Sequence, residues 1–125
     1  IAEAARRLKN IAKELNIWVL ALSQLSRDNQ NPLPSVNRLR GSGQINEAAD
    51  ITILLYRPEV YNKRYPEPFQ STNPNGTAMI DIAKGRNVGV FKFIVGFNAA
   101  TTHFYELNER PILPFTENKS DDNPF

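Results

Sequence analysis

The chain has 125 residues and 41% hydrophobic content, enough for one domain with a modest core. It contains no cysteine and a single histidine, His103, which excludes disulfide frameworks and thiolate metal sites and argues against a zinc centre or a histidine-based catalytic cluster. The net charge is only +2, yet up to Tyr105 there are 13 basic against 8 acidic residues, and from Glu106 onward 2 against 5; a basic body with an acidic tail is compatible with a nucleic-acid partner.

No apolar run reaches membrane-spanning length and no signal-peptide pattern is present, so a cytoplasmic location without membrane partners is expected. The first residue is Ile1, and the chain opens inside a helical pattern with no methionine or N-cap ahead of it. It is therefore expected to be a piece of a longer protein.

Residues 1–16 place Ile1, Ala4, Ala5, Leu8, Ile11, Ala12 and Leu15 at helical spacing, with Arg6, Arg7, Lys9, Lys13 and Glu14 mostly opposite, the pattern of an amphipathic helix that Asn16 can stop. Residues 17–22, IWVLAL, form a continuous apolar run of strand length, which predicts a strand buried on both faces as in a parallel sheet. Polarity then switches sharply at Ser23 and Gln24. Polar groups at the C-terminal end of a buried parallel strand lie where open α/β sheets bind ligands. The Gln24 amide can donate to a phosphate and accept from a water, or it can simply bond a nearby loop.

Residues 28–43 read as a loop, with a short helical turn near 36–39. Arg38, Arg40, Gly41, Ser42 and Gly43 offer guanidinium groups and unobstructed backbone amides, both of which suit a nucleic-acid backbone; a flexible connector with incidental arginines is the alternative. A short helix over 44–50 and a second buried strand over 51–56, ITILLY, follow. Residues 59–75 carry three prolines and no periodicity, which predicts a long excursion between strands whose Tyr61, Lys63, Arg64 and Tyr65 decorate the surface or stack on bases.

Residues 76–97 predict two neighbouring strands. Ala78, Ile80 and Ile82 share one face, and Phe91, Phe93, Val95 and Phe97 alternate with Val90, Lys92, Ile94 and Gly96, the period of a strand. Lys84 and Arg86 stand two residues apart at the turn, so their side chains leave on one side. Two fixed cations at a sheet rim suit a polyphosphate, although such a triplet can also be a solvated hairpin tip. A last short strand is expected within 101–107, with His103 packed or at a rim. Residues 108–125 are proline-rich and acidic, and are expected to be disordered. Their tip, DDNPF, resembles the tails by which single-strand-binding proteins recruit partners.

Taken in order, LALSQLSR, LRGSGQINEAADITILLYR and IAKGRN resemble, over residues 1–105, the C-terminal half of the motor domain of a DnaB-type replicative DNA helicase. The resemblance implies an α/β fold, part of a RecA-like P-loop NTPase, with a mixed sheet of parallel core strands and a C-terminal antiparallel hairpin over residues 1–107. It implies that Gln24 senses the nucleotide's terminal phosphate. Lys84 and Arg86 would act in trans on a neighbour's nucleotide, with Arg86 as the arginine finger. Arg40, Gly41, Ser42 and Gly43, with Arg38 beside them, would line the channel for single-stranded DNA. Partners implied are identical subunits in a hexameric ring, a primase and a helicase loader.

Two positions depart from the family's pattern. Gly41 stands where an acidic residue is common, and Gly85 replaces a larger residue between the cations, which is expected to loosen the backbone there. No G-x-x-x-x-G-K-[ST] motif occurs in the chain. ATP and Mg2+ are thus expected in the full-length parent, with neither bound tightly by this piece, which alone should not hydrolyse ATP. A recombinase or RadA-type RecA-like ATPase, and a stand-alone single-strand-binding module, are the competing readings.

Overall fold

A computed structural model describes residues 2–39 and 42–107. Helix α1 (Ala2–Leu15) has its apolar stripe only partly covered, and none of its residues is buried. Asn16 ends it in the left-handed conformation at φ 53°, and the Ile17 N–H closes on the Ala12 carbonyl at 3.1 Å. This is the cap expected of an asparagine just past a helix. A 3-10 turn (Val36–Arg38), helix α2 (Ser42–Ala48), strand β1 (Ile51–Tyr56), a second 3-10 turn (Pro58–Tyr61) and strands β2 (Thr77–Gly85), β3 (Phe91–Asn98) and β4 (His103–Tyr105) follow.

The four strands form one sheet in the order β1-β2-β3-β4, every neighbouring pair antiparallel. The alternation read from the sequence sets the register. Ala78, Ile80 and Ile82 pair with Val95, Phe93 and Phe91, so the two apolar sets share one face. The other face meets the core of Tyr56, Tyr65 and Met79, with Leu33, Phe69 and Ile94 packed on it.

The expected parallel core strands are not shown, and two expectations of burial are corrected. Among the described residues no parallel pair occurs, and the expected buried strand at 17–22 has no sheet partner; Trp18 and Leu22 are 98% and 92% exposed. A run apolar on both faces needs cover on both, and no described element lies over it. β1 is likewise not buried throughout: Thr52, Leu54 and Tyr56 point inward while Ile51, Ile53 and Leu55 are exposed, because only one of its faces is covered, by the core that Tyr65, Phe69 and Leu33 complete.

Tyr65, expected on the surface, is only 2% exposed. Its hydroxyl bonds Thr77 Oγ1 at 2.9 Å and its ring meets Tyr56 edge-on at 6.2 Å. A tyrosine with a partner for its hydroxyl can bury its ring without stranding a polar atom. The 59–75 excursion is thus the lid of the core, while Tyr61, Lys63 and Arg64 remain exposed.

Glu59 fastens that lid. It accepts from Arg57 Nη2 at 2.6 Å and from the Gly76 N–H at 2.8 Å. These two bonds, Arg57's first, hold its carboxyl below the ordinary carboxylate range. A lowered folded pKa gives stability that is complete above the unfolded value, about 4.3, and is lost as pH falls through the folded one. In acid titrations of thermal midpoints, Glu59→Gln is therefore expected to flatten the fall in stability below about pH 4. A variant curve parallel to the parent's would exclude this linkage.

Among the described residues no helix is long and apolar enough to cross a membrane.

Candidate functional site

The β2–β3 turn is built around Gly85. Its carbonyl accepts the N–H groups of Val88 and Gly89 at 3.3 and 3.0 Å, while Asn87 and Gly89 adopt φ values of 77° and 82°, which asparagine and glycine tolerate best. Gly85 does not loosen this backbone as expected. A Cβ there would lie 2.2 Å from the Gly89 carbonyl oxygen and 2.5 Å from Val88 Cγ2, so only glycine fits the close approach.

A register shift opposite Thr52 and Ile53 brings Lys84 beside Thr52, whose hydroxyl donates to Asn46 Oδ1 at 2.9 Å. From there Lys84 Nζ donates to the carbonyls of Asn46 and Glu47. These belong to the last turn of α2, where unpaired carbonyls favour a cation. Arg86 leaves on the same side. Its backbone N–H bonds the Asp50 carbonyl at 2.8 Å and its Nη1 bonds Asp50 Oδ1 at 3.0 Å. The same oxygen accepts from Lys9 Nζ of α1. The Lys9 bond, followed by the charges of Lys9, Arg86 and Lys84, holds the Asp50 carboxyl below the ordinary range. The two cations are therefore moored at one corner, where α2 meets β1, and Arg86 is the more exposed of them.

Gln24 lies at the other end of β1. It is exposed and lines an open cleft of about 480 Å³ with Arg27, Arg57, Tyr61, Phe97 and Phe104. Inside the cleft the Arg57 guanidinium sits 4.1 Å over the Phe97 ring, an arrangement stabilised by the ring's quadrupole. The sequence reading missed this pair; the signal was an arginine ending β1 and a phenylalanine on the apolar face of β3. With β1 six residues long, roughly 17–20 Å separates the cleft from the cations.

The loop residues divide. Arg38 directs its donors inside the chain, from Nε to the Ser26 carbonyl at 3.1 Å and from Nη1 to the Leu33 carbonyl at 2.9 Å. It stitches residues 26–33 to the 3-10 turn rather than reaching outward. Gly43 is exposed, with open space where a Cβ would stand. Arg40 and Gly41 lie outside the described residues, as does the side chain of Ser42. His103 is exposed at the β4 rim, stacked on Tyr105 at 6.4 Å. The tail at 108–125 also lies outside the described residues.

Two solved structures share this architecture. One, an ATPase domain, superposes with a TM-score of 0.71 at 34% identity, covering 85% of this chain and 36% of that one. The other, a DnaB-like replicative helicase described with its interactions with primase, gives 0.71 at 33% identity, covering 85% and 25%. The class is thus that of RecA-like helicase ATPase domains.

Within it, the model of the DnaB-like helicase C-terminal domain matches residues 1–106, and the chain belongs to that family. The replicative DNA helicases DnaB of Pasteurella multocida and Geobacillus stearothermophilus are 38% and 39% identical to it over 113 residues, 88% of this chain. The chain spans 23% of the length of each.

Proposed function

We propose that this chain is the sensing and trans-acting part of a hexameric, ATP-driven replicative DNA helicase that translocates on single-stranded DNA. The observation that carries the reading is the separation of Gln24 from Lys84 and Arg86 along β1. Groups that far apart do not act on one phosphate. Gln24, in its cleft, serves the nucleotide bound by its own subunit, and the cations serve a second nucleotide held by a neighbour.

Arg86 supplies the finger. Lys84 first has to leave the α2 carbonyls before it can add a second charge. ATP with Mg2+ would supply the driving free energy, the metal offsetting phosphate charge. Among the described residues no cluster of three or more His, Cys, Asp or Glu could hold a metal, and the chain has no Walker A lysine. The chain's own Gln24, Lys84 and Arg86 fit sensing and charge stabilisation. Arg40, Gly41, Ser42 and Gly43 would touch DNA phosphates, six such loops acting together in a ring. A primase is proposed as a partner by analogy with the DnaB-like neighbour, and a loader and a cytoplasmic location by family likeness.

Fluorescence titration of single-stranded oligonucleotides against the assembled full-length ring tests the loop. Arg40→Ala is expected to weaken binding for all sequences alike and to lower the salt slope by about one for each phosphate no longer neutralised. Unchanged affinity and slope would remove Arg40 from the DNA site. Submicromolar binding by the isolated 125-residue chain would instead favour a stand-alone single-strand-binding module.

A further inference from the structure

Resting on the finger reading of Arg86, we propose that Asp50 is its positioning residue: the Asp50 carboxylate and carbonyl together fix the arginine so that its remaining guanidinium N–H groups are presented outward to a neighbouring subunit's phosphate. Residue 50 grips Arg86 twice, through the main-chain bond at 2.8 Å and the side-chain bond at 3.0 Å. The side-chain bond uses one Nη only, and guanidinium carries five donors. The Arg86 side chain stays 53% exposed, so the unused donors are available to an incoming anion.

Asp50 is itself held in place. Lys9, whose side chain is only 21% exposed, binds the same Oδ1 from α1, and Lys84 ties the neighbouring carbonyls of α2 to β2. One carboxylate oxygen thus links α1, the start of β1 and the β2–β3 turn. A free arginine loses rotamer entropy when it is fixed on a ligand. An arginine already fixed by Asp50 has met part of that cost before the phosphate arrives, which is the physical content of preorganisation.

An incidental surface ion pair predicts otherwise. Such pairs contribute little to stability and can be deleted silently. A positioning carboxylate instead affects turnover, leaves substrate binding alone and responds to its charge.

The test is steady-state ATPase kinetics of the full-length ring with single-stranded DNA, comparing Asp50→Asn, Asp50→Glu, Arg86→Ala and the Asp50→Asn/Arg86→Ala pair. Asp50→Asn is expected to lower kcat about tenfold, with KM for ATP changed less than about twofold. Asp50→Glu, which keeps the charge, is expected to recover most of that loss, and the double variant to be no slower than Arg86→Ala alone. If Asp50→Asn assembles into rings and turns over at the parent's kcat while Arg86→Ala is inactive, the Asp50 proposal falls and the finger reading stands. If Asp50→Asn fails to assemble, the Lys9→Met variant decides, since it frees one side of the same oxygen. Unchanged kcat there overturns the proposal, and a severalfold kcat loss at constant KM supports it. If Arg86→Ala itself keeps parental turnover, the finger reading fails first and takes the Asp50 role with it.

Discussion

Arg86→Ala is expected to lower DNA-stimulated ATP turnover of the full-length ring by about three to five orders of magnitude, leaving nucleotide affinity within a few-fold of the parent. The size follows from what a finger does. Charge spreads over the oxygens of the transferring phosphoryl group only in the transition state, so a guanidinium that meets it there affects kcat rather than binding. What supports the proposed role is that the arginine is exposed, two residues beyond the α2-capping Lys84, and held on one side by Asp50. Because Gln24 lies at the far end of β1, the loss is expected in trans. Rings mixed from parent subunits and a growing share of Arg86→Ala subunits should lose activity at sites facing the altered subunit, whichever subunit holds the nucleotide. Turnover near the parent's in pure Arg86→Ala rings would end the finger assignment.

What the sequence made legible was what short-range geometry decides. The alternation of Ala78, Ile80 and Ile82 against Phe91, Phe93 and Val95 returned as a register, since one face of that hairpin is apolar and a slip of one residue would invert it. Asn16 stopped α1 by local backbone preference. Lys84 and Arg86 turned up on one side, as alternation requires.

Burial that depends on distant partners was not legible. The run at 17–22 reads as a buried strand in composition, but its cover comes from other elements, and the described residues supply none. Tyr65 read as surface because its polar neighbours in sequence say nothing of a hydroxyl partner at Thr77 or a ring partner at Tyr56. The inward bonds of Arg38 were not legible either, because the carbonyls of Ser26 and Leu33 that take its donors sit in irregular backbone with no pattern. Arg57 over Phe97 joins residues 40 positions apart, and no window on the sequence contains both.

The same limit applied to Gly85, and it leads to the second large effect. Gly85→Ala adds one methyl group between the two cations without touching either charge. Its Cβ would stand 2.2 Å from the Gly89 carbonyl oxygen and 2.5 Å from Val88 Cγ2. Real Cβ atoms essentially never come closer than 3.0 Å, so the turn has to open by about an ångström at a backbone atom, where no side-chain rotamer can absorb the change. The opening strains the two N–H bonds to the Gly85 carbonyl and shifts the base of Arg86, which no longer meets Asp50 in the same pose. A displacement of that size in a charge-stabilising group costs about a hundredfold in rate. Gly85→Ala is therefore expected to lower kcat by about two orders of magnitude, with KM for ATP and single-strand affinity nearly unchanged and a stability loss of about 1–3 kcal/mol. Because both charges survive, the defect separates position from charge. Adding salt or raising ATP concentration should not relieve it, and combining Gly85→Ala with Asp50→Asn should cost less than the product of the two single losses, since both act through the pose of one arginine. Parental kcat in Gly85→Ala rings would mean that the turn tolerates the opening and that Arg86 does not depend on its geometry.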